Sequence, residues 1–232
     1  MAAVNHEVEH LIEIRNIGKD YQSGDEMVPA IRQMDFAIDD GEFVTIMGHS
    51  GSGKSTLLSV LGGLNHPSRG KVFIDSLDLY DLSSEQRADF RSEYIGIIFQ
   101  SFQLITYLTV LENVILPMAI TGLKRKEKEQ MAMDVLLKVG LASKADRLPD
   151  QLSGGEQERV AIARAIVNQP PILLADEPTG NLDSETASEV MELLTRLNRE
   201  EGLTIIMVTH NPEISVYSNR TIRVQDGTCL EH

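Results

Sequence analysis

The chain has 232 residues, of which 42% are apolar and 24% charged, and its formal net charge at pH 7 is −14. This length and composition are those of a globular protein that can bury a sizeable core, and they exclude the fibrous and disordered classes. The acidic balance argues against a broad nucleic-acid surface, so nucleic acid is not an expected partner.

Neither a membrane span nor a secretory signal is predicted. The longest apolar runs, such as 172–175, are far shorter than the roughly 20 residues that cross a bilayer, and residues 1–9 lack the pattern of a secretory signal. The single cysteine, Cys229, fits a reducing compartment. Residues 230–232 are compatible with a native terminus or with the remnant of a tag, and no function is assigned to them.

The first predicted elements are strands. Apolar and polar residues alternate at 11–17 and at 31–38, which predicts an antiparallel pair of half-exposed strands. The mostly apolar run 43–47 predicts a buried strand. It leads into a glycine-rich loop and then into a pattern that predicts a helix at 54–64.

A second strand and helix follow before the pattern changes. A strand is predicted at 72–74, a polar helix from near Ser83, and a further apolar strand at 95–99, which ends at Gln100. From 101 to 155 no strand is predicted, and helical spacing appears at 110–120 and at 127–139. This stretch therefore predicts a helical subdomain inserted between two parts of an α/β core, 1–100 and 156–232.

Strands and helices then alternate to the end of the chain. Helices are predicted from about Gly155 and at 184–201, and strands at 172–175, 204–208 and 221–224. Such alternation predicts a mostly parallel sheet with helices on both faces and ligands at the carboxyl ends of its strands. Because the loop after the buried strand 43–47 reads Gly48-His49-Ser50-Gly51-Ser52-Gly53-Lys54-Ser55, the expected fold is a P-loop NTPase core with an N-terminal antiparallel β part and the inserted helices. The absence of an internal repeat indicates one nucleotide cassette.

A phosphate-binding loop lies between the buried strand and its helix. Residues 48–56 read Gly48-His49-Ser50-Gly51-Ser52-Gly53-Lys54-Ser55-Thr56, and the first eight match the pattern G-x-x-x-x-G-K-(S/T). Its glycines let backbone amides surround phosphate, and the helix N-terminus adds partial positive charge. We expect Lys54 to meet the β- and γ-phosphates of ATP and the Ser55 hydroxyl to ligate Mg²⁺. A flexible glycine loop without function is the alternative.

Two carboxylates follow the strand at 172–175. Asp176 is expected to hold Mg²⁺ through metal-bound water, and Glu177 to orient or deprotonate the attacking water. A pair of carboxylates that merely ends a strand in solvent is the alternative.

A second anion site is predicted where a later helix begins. Leu152-Ser153-Gly154-Gly155-Glu156 places a serine and glycine amides at a helix start, a position that binds phosphate or simply caps the helix. It has no lysine or metal ligand of its own. One phosphate loop and one complementary site per chain suggest a two-fold pair in which each helix start closes the other chain's ATP site.

The motif at 152–156 resembles the signature of ABC ATPases, and its residues 153–156 are called the signature below. The phosphate loop and the two carboxylates also resemble motifs of this family. The resemblance covers nearly the whole chain, with the motifs in the family's order. The resemblance implies four further roles: adenine stacking by Tyr21, Mg²⁺ sensing and contact with the membrane partner by Gln100, dimer contact by Asp183, and γ-phosphate contact by His210. The alternatives are an ordinary tyrosine, a polar strand end, a helix N-cap and an incidental histidine.

Residues 102–117 and 175–183 are similar to the lipoprotein-release, macrolide-export and antimicrobial-peptide-resistance group of this family, which also includes a cell-division ATPase. The resemblance implies a homodimer on the cytoplasmic face of the membrane that drives an integral membrane permease by mechanotransmission, and an extracytoplasmic or periplasmic adaptor reached through that permease. His49 stands where the family often has proline, and Glu156 and Glu158 where glutamine is common.

Two other functions stay open at this point. One is a nucleotide-gated regulatory module that engages a membrane partner without moving a substrate, as in the cell-division relatives. The other is a soluble ABC ATPase of DNA repair or translation, although such proteins generally have a long coiled-coil insertion or tandem cassettes.

Overall fold

The computed structural model describes residues 10–230. The predictions for residues 1–9, and for Glu231 and His232, lie outside the described residues. The strands are β1 (Ile12–Ser23), β2 (Glu26–Ile38), β3 (Phe43–Met47), β4 (Arg69–Ile74), β5 (Leu77–Asp78), β6 (Ile95–Ile98), β7 (Ile172–Asp176), β8 (Thr204–Thr209), β9 (Arg220–Gln225) and β10 (Thr228–Leu230). The α-helices are α1 (Lys54–Leu61), α2 (Ser84–Tyr94), α3 (Val110–Ile115), α4 (Arg125–Lys138), α5 (Gly154–Ile166) and α6 (Ser184–Glu201).

The strands form one curled sheet in the order β5-β4-β1-β2-β10-β9-β3-β8-β7-β6. Its second half is parallel, because β3 pairs with β8 and β9, and β7 pairs with β6 and β8. In the first half, β5, β4, β1 and β2 are antiparallel, with β1 between β2 and β4. The short strand β10 joins the two halves, because it pairs in parallel with β2 and antiparallel with β9. The expected α/β class, with a mostly parallel core and an antiparallel β part, is confirmed.

Successive residues of the parallel strands face opposite sides of the sheet, and each side is buried. Phe43 belongs to a core shared with α3, α4, α5 and α6, whereas Val44 and Ile46 belong to a core shared with α1 and the antiparallel strands. A strand that is buried on both faces is apolar throughout rather than alternating. This explains the continuous apolar runs in the sequence. The parallel pairing places the carboxyl ends of these strands at one edge of the sheet.

The inserted segment contains helices and no strand, although the domain boundaries at 101 and 155 remain a prediction. The helix predicted at 110–120 is α-helical only as far as Ile115 and continues as a 3-10 helix, Leu116–Ile120. Pro117 has no backbone N–H to donate within an α-helix, which accounts for the change. No helix in residues 10–230 is both long enough and apolar enough to span a bilayer.

Candidate functional site

An open cleft of about 670 Å³ lies at the carboxyl edge of the parallel strands. Four strands deliver residues to this edge: the phosphate loop follows β3, Gln100 follows β6, Glu177 follows β7 and His210 follows β8. The residues lining the cleft are Ala30, His49, Ser50, Gly51, Gly53, Lys54, Ser55, Thr56, Gln100, Glu177 and His210. The topology thus brings together residues that are up to 180 positions apart in the sequence, which is the separation of Ala30 and His210.

The phosphate loop wraps around the ammonium group of Lys54. This side chain is buried, and its Nζ donates to the carbonyl oxygens of Gly48 at 2.8 Å and His49 at 3.0 Å. Gly53, at φ 99°, precedes the first residue of α1. A Cβ there would lie 2.3 Å from the carbonyl oxygen of Ala30 in β2, so the loop needs glycine for space as well as for its backbone conformation.

A hydroxyl and a carboxylate meet below the loop. Ser55 Oγ donates to Asp176 Oδ1 at 3.1 Å. Burial raises the pKa of Asp176, while the hydrogen bond from Ser55 and the charge of Lys54 act in the opposite direction. Both are hard oxygen donors, the type that Mg²⁺ prefers. Within residues 10–230 no group of three or more His, Cys, Asp or Glu side chains could hold a metal.

The carboxylate of Glu177 is held from two sides. Its Oε1 lies 2.9 Å from His210 Nδ1, and its Oε2 accepts from Gln100 Nε2 at 3.3 Å. Glu177 has φ 47°, a left-handed conformation that is rare for a residue with a side chain, and its N–H donates to the carbonyl oxygen of Val208 at 3.0 Å. Strain of this kind persists where surrounding structure fixes it and is concentrated at functional sites.

Two residues near the cleft are absent from the sequence-based site. Asn181 Nδ2 donates to the carbonyl oxygen of Gln100 at 2.8 Å and so ties the end of β6 to the segment after Glu177. Ala30, from β2, lines the cleft. Asn181 lies inside the quoted motif 175–183, so its position was available as a signal, whereas nothing in the sequence marks Ala30.

Some predicted site residues do not line the cleft. The side chain of Ser52 is fully buried, and its N–H donates to the carbonyl oxygen of His49 within the loop. Tyr21 lies on β1 opposite Val28 and is 40% exposed, with the Lys19 ammonium 5.0 Å from its ring centroid. Gly48 and Asp176 lie immediately behind the lining and contact Lys54 and Ser55, respectively.

The signature residues 153–156 are also not part of the cleft lining in their own chain. Ser153 Oγ accepts from the N–H of Glu156 at 3.3 Å, and Glu156 Oε2 accepts from the N–H of Ser153 at 3.0 Å, a reciprocal cap at the start of α5. Ser153 itself is exposed to solvent. This surface carries a helix start whose amides and dipole favour an anion.

The signature adjoins the start of α6. Asp183 caps α6, because its carboxylate accepts two hydrogen bonds from Thr186. One comes from the Thr186 N–H at 3.0 Å and the other from the Thr186 hydroxyl at 2.7 Å. These bonds lower the pKa of Asp183. A Cβ on Gly155 would lie 2.2 Å from Cγ2 of Thr186, so the two helix starts are in close contact. Asp183 is a helix N-cap and is also exposed beside the signature.

Comparison with known proteins agrees with this geometry. A family model described as ABC transporter matches residues 31–180. The chain is 44% identical over 217 residues to the lipoprotein-releasing system ATP-binding protein LolD of Geobacter metallireducens, covering 94% of this chain and 96% of LolD. It is 45% identical over 219 residues to the macrolide export ATP-binding/permease protein MacB of Syntrophobacter fumaroxidans, covering 94% of this chain and 31% of MacB.

The chain spans about a third of the length of the MacB proteins that it matches. Among solved structures, the dimeric post-hydrolysis state of the ATP-binding cassette MJ0796 from Methanocaldococcus jannaschii, bound to ADP and Pi, has a TM-score of 0.87. Its sequence identity is 42%, with 95% of this chain and 97% of that chain covered. With the phosphate loop, the paired carboxylates and the signature in these positions, the chain belongs to the ABC transporter family and is one of its ATP-hydrolysing cassettes.

Proposed function

We propose that two copies of this chain close around ATP and reopen after hydrolysis. The observation that carries the proposal is the separation of two phosphate-binding elements: the cleft contains the loop and Lys54, whereas Ser153 faces solvent elsewhere on the same chain. A two-fold pair would bring Ser153 of each protomer to the other's cleft. The dimeric MJ0796 structures support the pairing of two such cassettes.

Within the closed site we propose that Glu177 accepts a proton from the attacking water. Its carboxylate is 16% exposed and already oriented by His210 and Gln100, as a general base requires. Lys54 would contact the terminal phosphates, and Tyr21 the adenine. Mg²⁺, held by Ser55, by Gln100 and through water by Asp176, would supply neutralisation of phosphate charge.

We further propose that closure drives an integral membrane permease at the cytoplasmic face of the membrane. Gln100 and the helical segment 101–155 are the contact that we propose for it. The similarity to LolD and MacB supports a permease of the lipoprotein-release or macrolide-export type. We propose that this permease works by mechanotransmission and reaches an extracytoplasmic adaptor. The inserted segment follows Gln100, which lines the cleft, directly in the chain. Its first residues are held by Arg164 of α5, which donates to the carbonyl oxygens of Phe102 and Gln103.

The test is Glu177→Gln. Removing the base while keeping the side chain's shape should slow hydrolysis at least about 10²-fold without preventing ATP binding. The variant should then accumulate as a dimer in saturating ATP and Mg²⁺, measured by analytical ultracentrifugation. Glu93→Gln is the matched control, because Glu93 is an exposed carboxylate of α2 that does not line the cleft. A Glu177→Gln protein that stays monomeric in ATP and Mg²⁺ would overturn the proposal.

A further inference from the structure

The signature of this chain carries a negative charge at the position where an anion would bind. Glu156 is in the first turn of α5, and its carboxylate accepts the N–H of Ser153. The amides and dipole at the start of a helix give it a partial positive charge that attracts an anion. A carboxylate there therefore competes with a phosphate for this positive charge. Glutamine at this position would make the same cap without the charge.

Lys144 pairs with this charge and neutralises it. It ends the 3-10 helix Ala142–Lys144, and its Nζ makes a short contact with Glu156 Oε1, leaving Oε2 for the backbone of Ser153. The two side chains are 39% and 25% exposed, so this ion pair is partly shielded from water. The hydrogen bond from Lys144, followed by that from the N–H of Ser153, lowers the pKa of Glu156, which therefore stays ionised at neutral pH.

The arrangement has two consequences for Ser153. The ammonium cancels the carboxylate charge within one helical turn of the serine hydroxyl, where like charge would repel a triphosphate. The contact with Lys144 also holds the Glu156 side chain in the position in which it caps the helix. The Ser153 hydroxyl and N–H are therefore already oriented before a ligand binds.

We propose that Lys144 is a positioning residue for the signature, one that allows glutamate at position 156 without weakening the approach of the partner protomer's ATP. The proposal rests on the proposed function, because it assigns Lys144 a role in ATP-driven dimerisation. An ion pair that only stabilises the inserted helices would affect unfolding but not the ATP concentration needed for dimer formation.

A double-mutant cycle in the Glu177→Gln background separates these cases. Lys144→Met should raise the ATP concentration for half-maximal dimer formation about 5- to 10-fold, because it leaves an unpaired carboxylate beside Ser153. In a Glu156→Gln chain the same Lys144→Met change should shift that concentration by less than about twofold. Lys144→Arg, which keeps the charge, should behave as the unsubstituted chain.

Lys138→Met is the matched control. Lys138 forms an ion pair with Glu201 at 2.8 Å, with both side chains similarly exposed and outside the signature, and its loss should not shift the ATP dependence. An equal shift from Lys144→Met in both backgrounds, or no shift in either, would overturn the role of Lys144. Failure of every chain, including Glu177→Gln alone, to dimerise would instead overturn the proposed function.

Discussion

Glu158 is the most deeply buried carboxyl group described in the chain, with 1% of its surface exposed and no hydrogen-bond partner for Oε1. Burial raises the pKa of this carboxyl to about 8, and the nearby charge of Arg164 only partly opposes the effect. The folded chain therefore holds Glu158 as a neutral acid at pH 7, whereas the unfolded chain ionises it near its ordinary value of 4.5. As pH rises from about 4.5 to 8, folding stability is lost.

Glu158→Gln should remove the loss of folding stability between about pH 4.5 and 8, because glutamine does not ionise. At pH 7 the gain in unfolding free energy is up to about 3 kcal/mol from the pKa difference, before any fixed effect of burying an amide. The gain should be larger at pH 7.5 than at pH 5, measured by urea unfolding at both values. Glu93→Gln, on the exposed face of α2, is the control. A Glu158→Gln effect that is the same at both pH values would contradict the buried-acid account.

His210 should act on hydrolysis and not on nucleotide binding. It contacts the Glu177 carboxylate and lines the cleft while 60% of its own side chain is exposed. We expect His210→Ala to lower kcat about 10²-fold and to change the Kd of ATP by less than about threefold. Steady-state hydrolysis and equilibrium ATP titration measure the two quantities. Loss of ATP binding as large as the loss of turnover would place His210 among the binding groups instead.

At the scale of elements, α5 and α6 depend on a glycine where they meet. Because a Cβ at Gly155 would collide with Cγ2 of Thr186, Gly155→Ala should destabilise the chain by about 1–3 kcal/mol despite alanine's better helix propensity. Thr186→Ser removes that methyl group but keeps the hydroxyl that bonds Asp183. The double variant should therefore recover part of the loss in denaturant unfolding. Equal destabilisation by Gly155→Ala with threonine or serine at 186 would contradict this.

The sequence-based boundaries were best where local signals agree with tertiary packing. Strand 43–47 and helix 184–201 match β3 and α6 residue for residue, the first because it is buried on both faces and the second because Asp183 and Gly202 mark its ends. The strands β5 and β10 were missed, since two or three residues carry no periodicity. Their positions are fixed by pairing with β4 and β9.

The candidate site was predictable in its parts but not in its contacts. Motifs located the loop, the carboxylates and the signature, because phosphate chemistry needs those residue types at fixed spacing. The contacts of Glu177 with His210 and Gln100 connect residues at the ends of three strands. The Lys144–Glu156 ion pair connects two helical elements. Such contacts depend on sheet order and helix packing, which no local pattern encodes.

At the scale of the whole molecule, each proposed ATP site is shared between two protomers. Lys54→Ala leaves a chain with an intact signature, and Ser153→Arg leaves a chain with an intact phosphate loop. Each alone should be nearly inactive, because every site in its homodimer has one defective half. A mixed dimer contains one site with two intact halves, and half of the dimers in an equal mixture are mixed.

The rate of ATP hydrolysis by that mixture shows whether the partner protomer completes the site. We predict that mixing equal amounts of the Lys54→Ala and Ser153→Arg chains restores up to about a quarter of the unsubstituted activity, since one site in four is intact. The rate should rise with the amount of either chain added to the other. A mixture that hydrolyses ATP no faster than the mean of the two separate variants would contradict a site completed by the partner protomer.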